Sequence, residues 1–288
     1  MTRHFRILDS ALDGLAQPAT LAGPGAAHPL WAADLEALGA VPELGAARHC
    51  RDIVLCGPCA STMDVARRLV EEGVLAPFGS VITPEQTAGR GQLRRAWLSR
   101  PGNVLATLVC PPADGLWNDL RPLVLGYLFA EALSALGQAV QVKWPNDLLS
   151  GGRKVAGILV EERKDCVLAG IGVNLGWAPP AEALREGHCV DAGEFVPSDG
   201  AVGPVRLWGA LVNHVETGYR TLLEAFSPTE FLTIFRSRMA WQGRRVLVRE
   251  GESVRYEAVV RGISAEGGLL LDRAGREVVL LAGDVIPV

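Results

Sequence analysis

Apolar residues in this chain recur at two spacings, and the alternation between them sets the architecture. Short runs of Val, Ile and Leu at residues 51–55, 79–83, 104–109 and 140–144 predict strands. Apolar positions at helical spacing predict helices over 62–72, 116–136, 204–225 and 229–239, the first with Ser61 as its N-cap. Residues 155–162 and 166–174 predict two more strands, joined by the polar turn Arg163-Lys164-Asp165 as a hairpin. Helices mixed with hairpin-linked strands predict an α+β sheet domain over 46–237. After that the character changes. Residues 246–249, 256–263, 269–271 and 278–281 are short strands at close spacing, separated by Gly turns, and predict a small β-barrel over 238–288. Residues 1–45 are rich in Ala, Gly and Pro. They predict a partly ordered arm with one short helix near 31–38, without room for the two uninterrupted helices of a helix-turn-helix.

Length and composition fit this plan, since 288 residues, 49% hydrophobic and 21% charged, suit one large domain and a small one. A net charge of −4 argues against a dedicated nucleic-acid surface. Met1-Thr2-Arg3-His4-Phe5-Arg6 resembles a signal-peptide n-region, but Asp9 and Asp13 interrupt the apolar stretch behind it. No uncharged apolar run is long enough for a bilayer, so a cytoplasmic protein is expected.

The charge is carried unevenly by residue type, with three lysines (Lys143, Lys154, Lys164) against 25 arginines. Two of those lysines flank Lys143-Trp144-Pro145-Asn146-Asp147 and open Lys154-Val155-Ala156-Gly157-Ile158. Lys is a compact point charge suited to phosphate and carboxylate oxygens, and Asp147 is a candidate Mg²⁺ ligand in a nucleotide site. The bland alternative is a turn, which Pro, Asn and Asp all favour. In Glu85–Trp97, Gly89 and Gly91 permit close backbone approach. Arg90, Arg94 and Arg95 offer forks for phosphate or carboxylate. A solvated surface loop would look similar. Glycines 170 and 172, inside a strand ending at Asn174, mark a bulge or a surface on which something packs flat. Ser61 and Thr62 open a helix and serve as cap or as polar ligand contacts.

Six cysteines include the Cys56-Gly57-Pro58-Cys59 pair, which follows an apolar strand and precedes a helix. That is the context of a thioredoxin-type redox motif, and nearby His49 and Cys50 raise a zinc site as well. No thioredoxin-like layout follows, so these cysteines are expected to be free thiols.

Together these segments resemble the biotin protein ligase family, in its form without an N-terminal DNA-binding domain, over about residues 46–288. Ser61-Thr62-Met63-Asp64 resembles its Ser-Thr-Asn motif, and Glu85–Trp97 its ligand-closing loop. Lys143–Asp147 matches Lys-Trp-Pro-Asn-Asp. Arg153–Ile158 resembles its Lys-Leu-Ala-Gly-Ile strand, Gly170–Asn174 its Gly-x-Gly-x-Asn, and the final barrel its SH3-like domain. The resemblance implies a mixed-sheet biotin/lipoate ligase-like catalytic domain. It implies ATP-dependent activation of biotin to biotinyl-5′-AMP, and transfer to a lysine of a biotin carboxyl carrier protein. It assigns Lys154, Arg90 and Asp147 to catalysis, with Mg²⁺ on Asp147. It assigns Ser61, Thr62, Met63, Gln86, Arg90, Gly91, Gln92 and Lys154 to biotin. It assigns Arg90, Arg95, Trp97, Lys143, Asn146, Asp147, Gly170, Gly172 and Asn174 to the nucleotide. A homodimer through a sheet edge is compatible with the pattern.

The chain departs from the family at several points. Gln92 and Arg94 stand where the loop commonly has Arg and Gly, Met63 replaces Asn, and the last residues lack a frequent Arg. Loss of a cation at 92 implies weaker retention of the adenylate unless Arg94 substitutes. Two alternatives remain open: a lipoate–protein ligase, and a non-catalytic biotin-binding homologue. A DNA-binding repressor is disfavoured by the arm and the charge.

Overall fold

The computed structural model describes residues 4–8, 12, 15–16, 28–39, 41–45, 47–92, 95–163, 166–184, 190–200, 202–251 and 254–288. Arg94, Lys164, Asp165 and Cys189 lie outside these, so the role weighed for Arg94 and the predicted turn at 163–165 are not described.

The chain opens with strand β1 (Phe5–Ile7) and helix α1 (Pro29–Leu38), followed by β2 (Ile53–Leu55), α2 (Thr62–Glu71), β3 (Ser80–Ile82) and β4 (Val104–Val109). Next come α3 (Leu116–Asp119), α4 (Arg121–Leu136), β5 (Gln141–Lys143), β6 (Asp147–Ser150), β7 (Arg153–Arg163) and β8 (Cys166–Val173). Helices α5 (Pro204–Ala225) and α6 (Pro228–Phe235) precede β9 (Arg245–Glu250), β10 (Val254–Ile263), β11 (Leu269–Arg273), β12 (Arg276–Leu280) and β13 (Asp284–Pro287).

Eight strands form one mixed sheet in the order β1-β2-β3-β4-β8-β7-β6-β5, in which only β1, β2 and β3 run parallel. The other five form an antiparallel sheet, β12-β11-β10-β9-β13, as a small C-terminal β domain. Strand alternation sorts side chains between two cores. Ile53, Leu55, Ile82, Val104, Ala106 and Leu108 face α4 and α5, where Phe129 and Trp208 stack with ring centroids 6.0 Å apart. Val54, Val81 and Leu168 face the other way, toward Met63, Val65, Ala66 and Leu69 of α2. On that second side α2 leaves part of β4, β7 and β8 uncovered, and the cavity described below opens there.

The single long helix expected over 116–136 is broken into α3 and α4. Pro122 lacks an N–H and fits only the first turn of a helix, so α4 starts afresh at Arg121. Residues 1–45 contribute more than an arm, because β1 extends the large sheet beside β2. Each outer strand of that sheet carries one isolated bridge to another part of the chain. Ile7 bonds to Pro42 and Leu44 beyond β1 (2.9 and 2.7 Å), and Ala240 donates to the Val142 carbonyl beyond β5 at 2.9 Å.

Helix α1 does structural work through Asp34, which is fully buried. Gly203, the N-cap of α5, has no side chain with which to cap. Asp34 supplies the acceptors instead, from Gly203 N–H at 3.0 Å, Val205 N–H at 2.8 Å and Arg206 N–H at 2.9 Å. Replacing Asp34 with Ala leaves these donors unpaired and should lower the unfolding free energy by about 1–2 kcal/mol. Urea denaturation measures this, and an unchanged midpoint would contradict the capping role.

Candidate active site

A row of paired residues crosses the large sheet from its β5 edge. Lys143 lies opposite Asp147, Asp147 opposite Gly157, Gly157 opposite Gly172, and Gly172 opposite Leu105. Directly opposed residues point to one face, so the row places an ion pair next to a floor of bare backbone. Two residues along, Leu159, Gly170 and Thr107 form a second row on the same face.

Lys154 joins the first row through an irregularity. Leu148 pairs with Ala156 but Leu149 pairs with Lys154, so Val155 is an extra residue in β7. Such a bulge re-aims a side chain. Without it, Lys154 would alternate to the far face. The bulge is fixed by backbone bonds from Lys154 N–H to Asp191 (2.8 Å) and from Gly193 N–H to Lys154 (2.9 Å).

Asp147 therefore sits between two ammonium groups, Lys154 Nζ at 2.5 Å and Lys143 Nζ at 3.0 Å. Lys143 is 2% exposed, whereas Lys154 is 30% exposed and borders open space. Burial pushes the Asp147 carboxyl upward, but the fields of Lys154 and Lys143 outweigh it and hold its pKa well below the ordinary range.

Trp97 lies on the glycine floor. A Cβ on Gly172 would approach its indole to 2.3 Å, and one on Gly157 to 2.9 Å. The ring also faces Lys154 Nζ, 5.3 Å from its centroid. Trp97 Nε1 and Asn174 Oδ1 are buried without partners among the described residues. The Asn174 amide donates to the Gly193 and Lys154 carbonyls, which leaves its oxygen free to accept from a ligand. Asn146 uses its amide to hold β7, donating to Ile158 O at 2.7 Å.

The loop carrying Trp97 is folded as a small hairpin, with bonds from Gly91 N–H to Arg95 O (2.7 Å) and from Trp97 N–H to Gly89 O (2.9 Å). Its two described arginines are anchored outward. Arg90 makes a bidentate pair with Asp64 of α2 (2.8 and 3.0 Å), and Arg95 reaches Asp284 of the C-terminal domain at 3.1 Å. The Arg90 fork expected to meet a substrate carboxylate is thus engaged by Asp64. At the far end, Gln86 Oε1 accepts from Thr62 N–H (2.7 Å) and Thr62 Oγ1 (3.1 Å), and Thr62 Oγ1 lies 2.8 Å from Thr107 Oγ1. Ser61 caps α2 by accepting from Met63 N–H. Met63 packs on Gly170, where a Cβ would stand 3.0 Å from its sulfur.

All these features border one cavity of about 580 Å³. Ser61, Thr62, Met63, Gln86, Arg90, Gly91 and Gln92 line it together with Arg95, Trp97, Lys143, Asn146, Asp147, Lys154, Gly170, Gly172 and Asn174. The sequence motifs include Asp64 and Gly157 without assigning them a role, and they do not point to Asp284 or to an apolar end made by Ala183, Leu184, Val190 and Ala192. Asp64, in the first turn of α2, is indistinguishable in sequence from an ordinary helix-start carboxylate. Gly157 could have been found, since it sits in a strand as Gly170 and Gly172 do.

The residues do not fit a resident Mg²⁺. Both Asp147 oxygens carry ammonium groups, and no group of three His, Cys, Asp or Glu side chains gathers among the described residues. Mg²⁺ commonly arrives on substrate phosphates with one or two carboxylates.

The mixed sheet, with its lysine–carboxylate cluster beside a glycine floor, can be compared with known proteins, and the relatives found are ligases. Residues 60–177 match the Biotin/lipoate A/B protein ligase family. The biotin–[acetyl-CoA-carboxylase] ligase of Paracoccus denitrificans is 33% identical over 212 residues, covering 69% of this chain and 86% of the relative. The ligase of that name from Mycobacterium tuberculosis is 30% identical over 215 residues, covering 72% and 77%. The structure of Aquifex aeolicus biotin protein ligase in complex with biotin and ATP superposes with a TM-score of 0.65 at 25% identity, covering 81% of this chain and 97% of the other. The chain belongs to the biotin/lipoate A/B protein ligase family.

The depressed Asp147 pKa sets an expected pH dependence. A carboxylate lowered in the folded state stabilises the fold above its unfolded pKa of about 4, and that stability is lost as pH falls through the folded value. Unfolding free energy should therefore fall more steeply below about pH 4 in the wild type than in Asp147→Asn. Equal slopes in chemical denaturation across that window would contradict the buried ion cluster.

Proposed function

We infer that this protein is a biotin–[acetyl-CoA-carboxylase] ligase, and the observation that carries the reading is the Lys143–Asp147–Lys154 cluster beside the Gly157–Gly172 floor. In the first step a biotin carboxylate oxygen attacks the α-phosphorus of ATP. The bond to the β,γ-phosphates breaks, giving biotinyl-5′-AMP and pyrophosphate. In the second, a lysine amine of a biotin carboxyl carrier protein attacks the acyl carbon, an amide forms and AMP leaves. Mg²⁺ enters as part of the nucleotide substrate.

The reaction brings two anions together, and its demand is for fixed positive charge where they meet. Lys154 is suited to that place. It is the more exposed of the two ammonium groups on Asp147 and can turn from it to bridge the biotin carboxylate and the α-phosphate. Lys143 stays to balance Asp147. A cation held ready in this way acts without reorganisation cost in the transition state.

The polar end formed by Ser61, Thr62 and Gln86, with Met63 beside it, takes the ureido head. Gly170 and Gly172 form the bed for a planar ring, with Trp97 as its cover once the ligand has displaced it from the glycines. Asn174 Oδ1 and the apolar end face the nucleoside, and Asn146 holds the strand under it. Gly91, Gln92 and Arg95 wall the phosphates from the loop side. Arg90 pins that loop to α2 through Asp64, so the carboxylate falls to Lys154. ATP-dependent chemistry on a carrier protein supports a cytoplasmic site of action. Lipoate is the second reading, and the hydrogen-bonding Thr62–Gln86 pair favours a ureido head over an apolar dithiolane ring.

Pyrophosphate release with ATP and Mg²⁺ tests the reading. Release should require biotin, should not be supported by lipoate, and should fall by about 10²–10³-fold in Lys154→Ala. Release driven by lipoate alone, or none with any acid, would overturn it. Gln92 supplies no charge to the phosphate, so the wild type should shed biotinyl-5′-AMP faster than Gln92→Arg. Direct measurement of adenylate release compares them, and equal rates would remove Gln92 from the account.

A further inference from the structure

Cys56 and Cys59 take no part in the chemistry above, yet they stand directly behind its biotin end. Both are tied to the segment that leads into the ligand loop. Cys56 N–H donates to Ile82 O at 3.0 Å, Cys59 N–H to Glu85 O at 3.2 Å, and Thr87 N–H to Cys59 O at 2.9 Å. The buried Thr83 hydroxyl clamps the turn between them by donating to Gly57 O at 2.7 Å. Cys59 bridges Ala16 on one side and Gln86 on the other. Both thiols are free, Cys56 fully buried and Cys59 4% exposed.

We propose that Cys56 and Cys59 form a peroxide-oxidisable dithiol whose closure alters the biotin end of the cavity. Geometry identifies Cys59 as the attacking sulfur, because it is the less buried and an oxidant no larger than peroxide suits so closed a site. The neighbouring Cys56 thiol holds the Cys59 pKa below the ordinary thiol value despite burial. The Cys110 thiol, by contrast, is pushed up to about 12 by burial. Cys59 thiolate takes one oxygen from hydrogen peroxide to become a sulfenic acid. The Cys56 sulfur then attacks it, the S–S bond forms and water leaves. The dithiol loses two electrons and two protons, and peroxide becomes two waters. Two equivalents of a small thiol reverse the step by exchange.

Closure has a direct route to the site. Bonded sulfurs stand about 2.05 Å apart, so one cysteine must shift. Cys56 continues the β2–β3 pairing, which leaves the shift to Cys59. Cys59 is bridged to Gln86, and Gln86 accepts from both Thr62 donors. This second half rests on the biotin reading of that end, whereas disulfide formation does not.

The two halves are scored separately on the full-length protein. Residues 52–67 lie between Arg51 and Arg67 and contain both cysteines and no other, so trypsin releases them together. After peroxide treatment, alkylation and digestion, this peptide should be two hydrogens lighter and unalkylated, and dithiothreitol should restore alkylation. A peptide still fully alkylated, or carrying sulfinic acid without the link, would overturn the dithiol assignment whatever the enzyme's substrate. For the coupling, oxidation should raise the KM for biotin by about 5-fold with a smaller change in kcat. Cys56→Ser should abolish that response while its reduced activity stays unchanged, with Cys56→Ala as the second variant where serine disturbs the core. A disulfide that forms with KM unaltered would overturn the coupling.

Discussion

The Asp147 carboxylate is held out of water between two ammonium groups, and much of the cavity side of the large sheet is organised around that arrangement. Its three members come from three neighbouring strands, β5, β6 and β7, so the charge cluster and the strand register specify one another. Burying ions is costly, and the cost is offset only when partners and geometry are both in place. Removing one member leaves an uncompensated charge, at about 3–5 kcal/mol for a buried pair. In the proposed reaction the cluster holds a cation at an open cavity, aimed before any substrate arrives.

The rest of the site is built outward from this anchor. Glycines at 157, 170 and 172 leave a floor without side chains on the cavity face, and the Val155 bulge turns Lys154 onto the same face. Trp97 fills the vacant bed. Its loop is held by Arg90 to α2 and by Arg95 to the C-terminal domain, so opening or closing the loop involves both contacts. Trp144 links the same two bodies by donating to Gly267 O at 2.9 Å.

The two-part plan and most elements were legible because apolar periodicity depends on local sequence alone. Residues 104–109 and 204–225 agree to the residue with β4 and α5. The exceptions have local or tertiary causes. Pro122 splits a helix that periodicity alone joins. Strands β1, β6 and β13 were not predicted, since none carries more than two consecutive apolar residues flanked by strand-like sequence, and they exist through pairing with β2, with β5 and β7, and with β9. In the site, the motif residues could be named because their chemistry is unusual for their positions. Asp64 and Asp284 could not, since a carboxylate gains meaning only from an arginine that the fold brings to it. The choice between turn and site at Trp144-Pro145-Asn146 was a false one. Residues 144–146 form a tight turn, and that turn sets Lys143 opposite Asp147.

The account turns on Lys154 leaving Asp147 for the substrate. A crystal structure with a non-hydrolysable analogue of biotinyl-5′-AMP tests this directly. The account predicts Lys154 Nζ within hydrogen-bond reach of the phosphate mimic, Asp147 retaining Lys143, and a ring of the ligand against Gly172 where Trp97 now lies. Lys154 still paired with Asp147, with the phosphate mimic held by another cation, would contradict it.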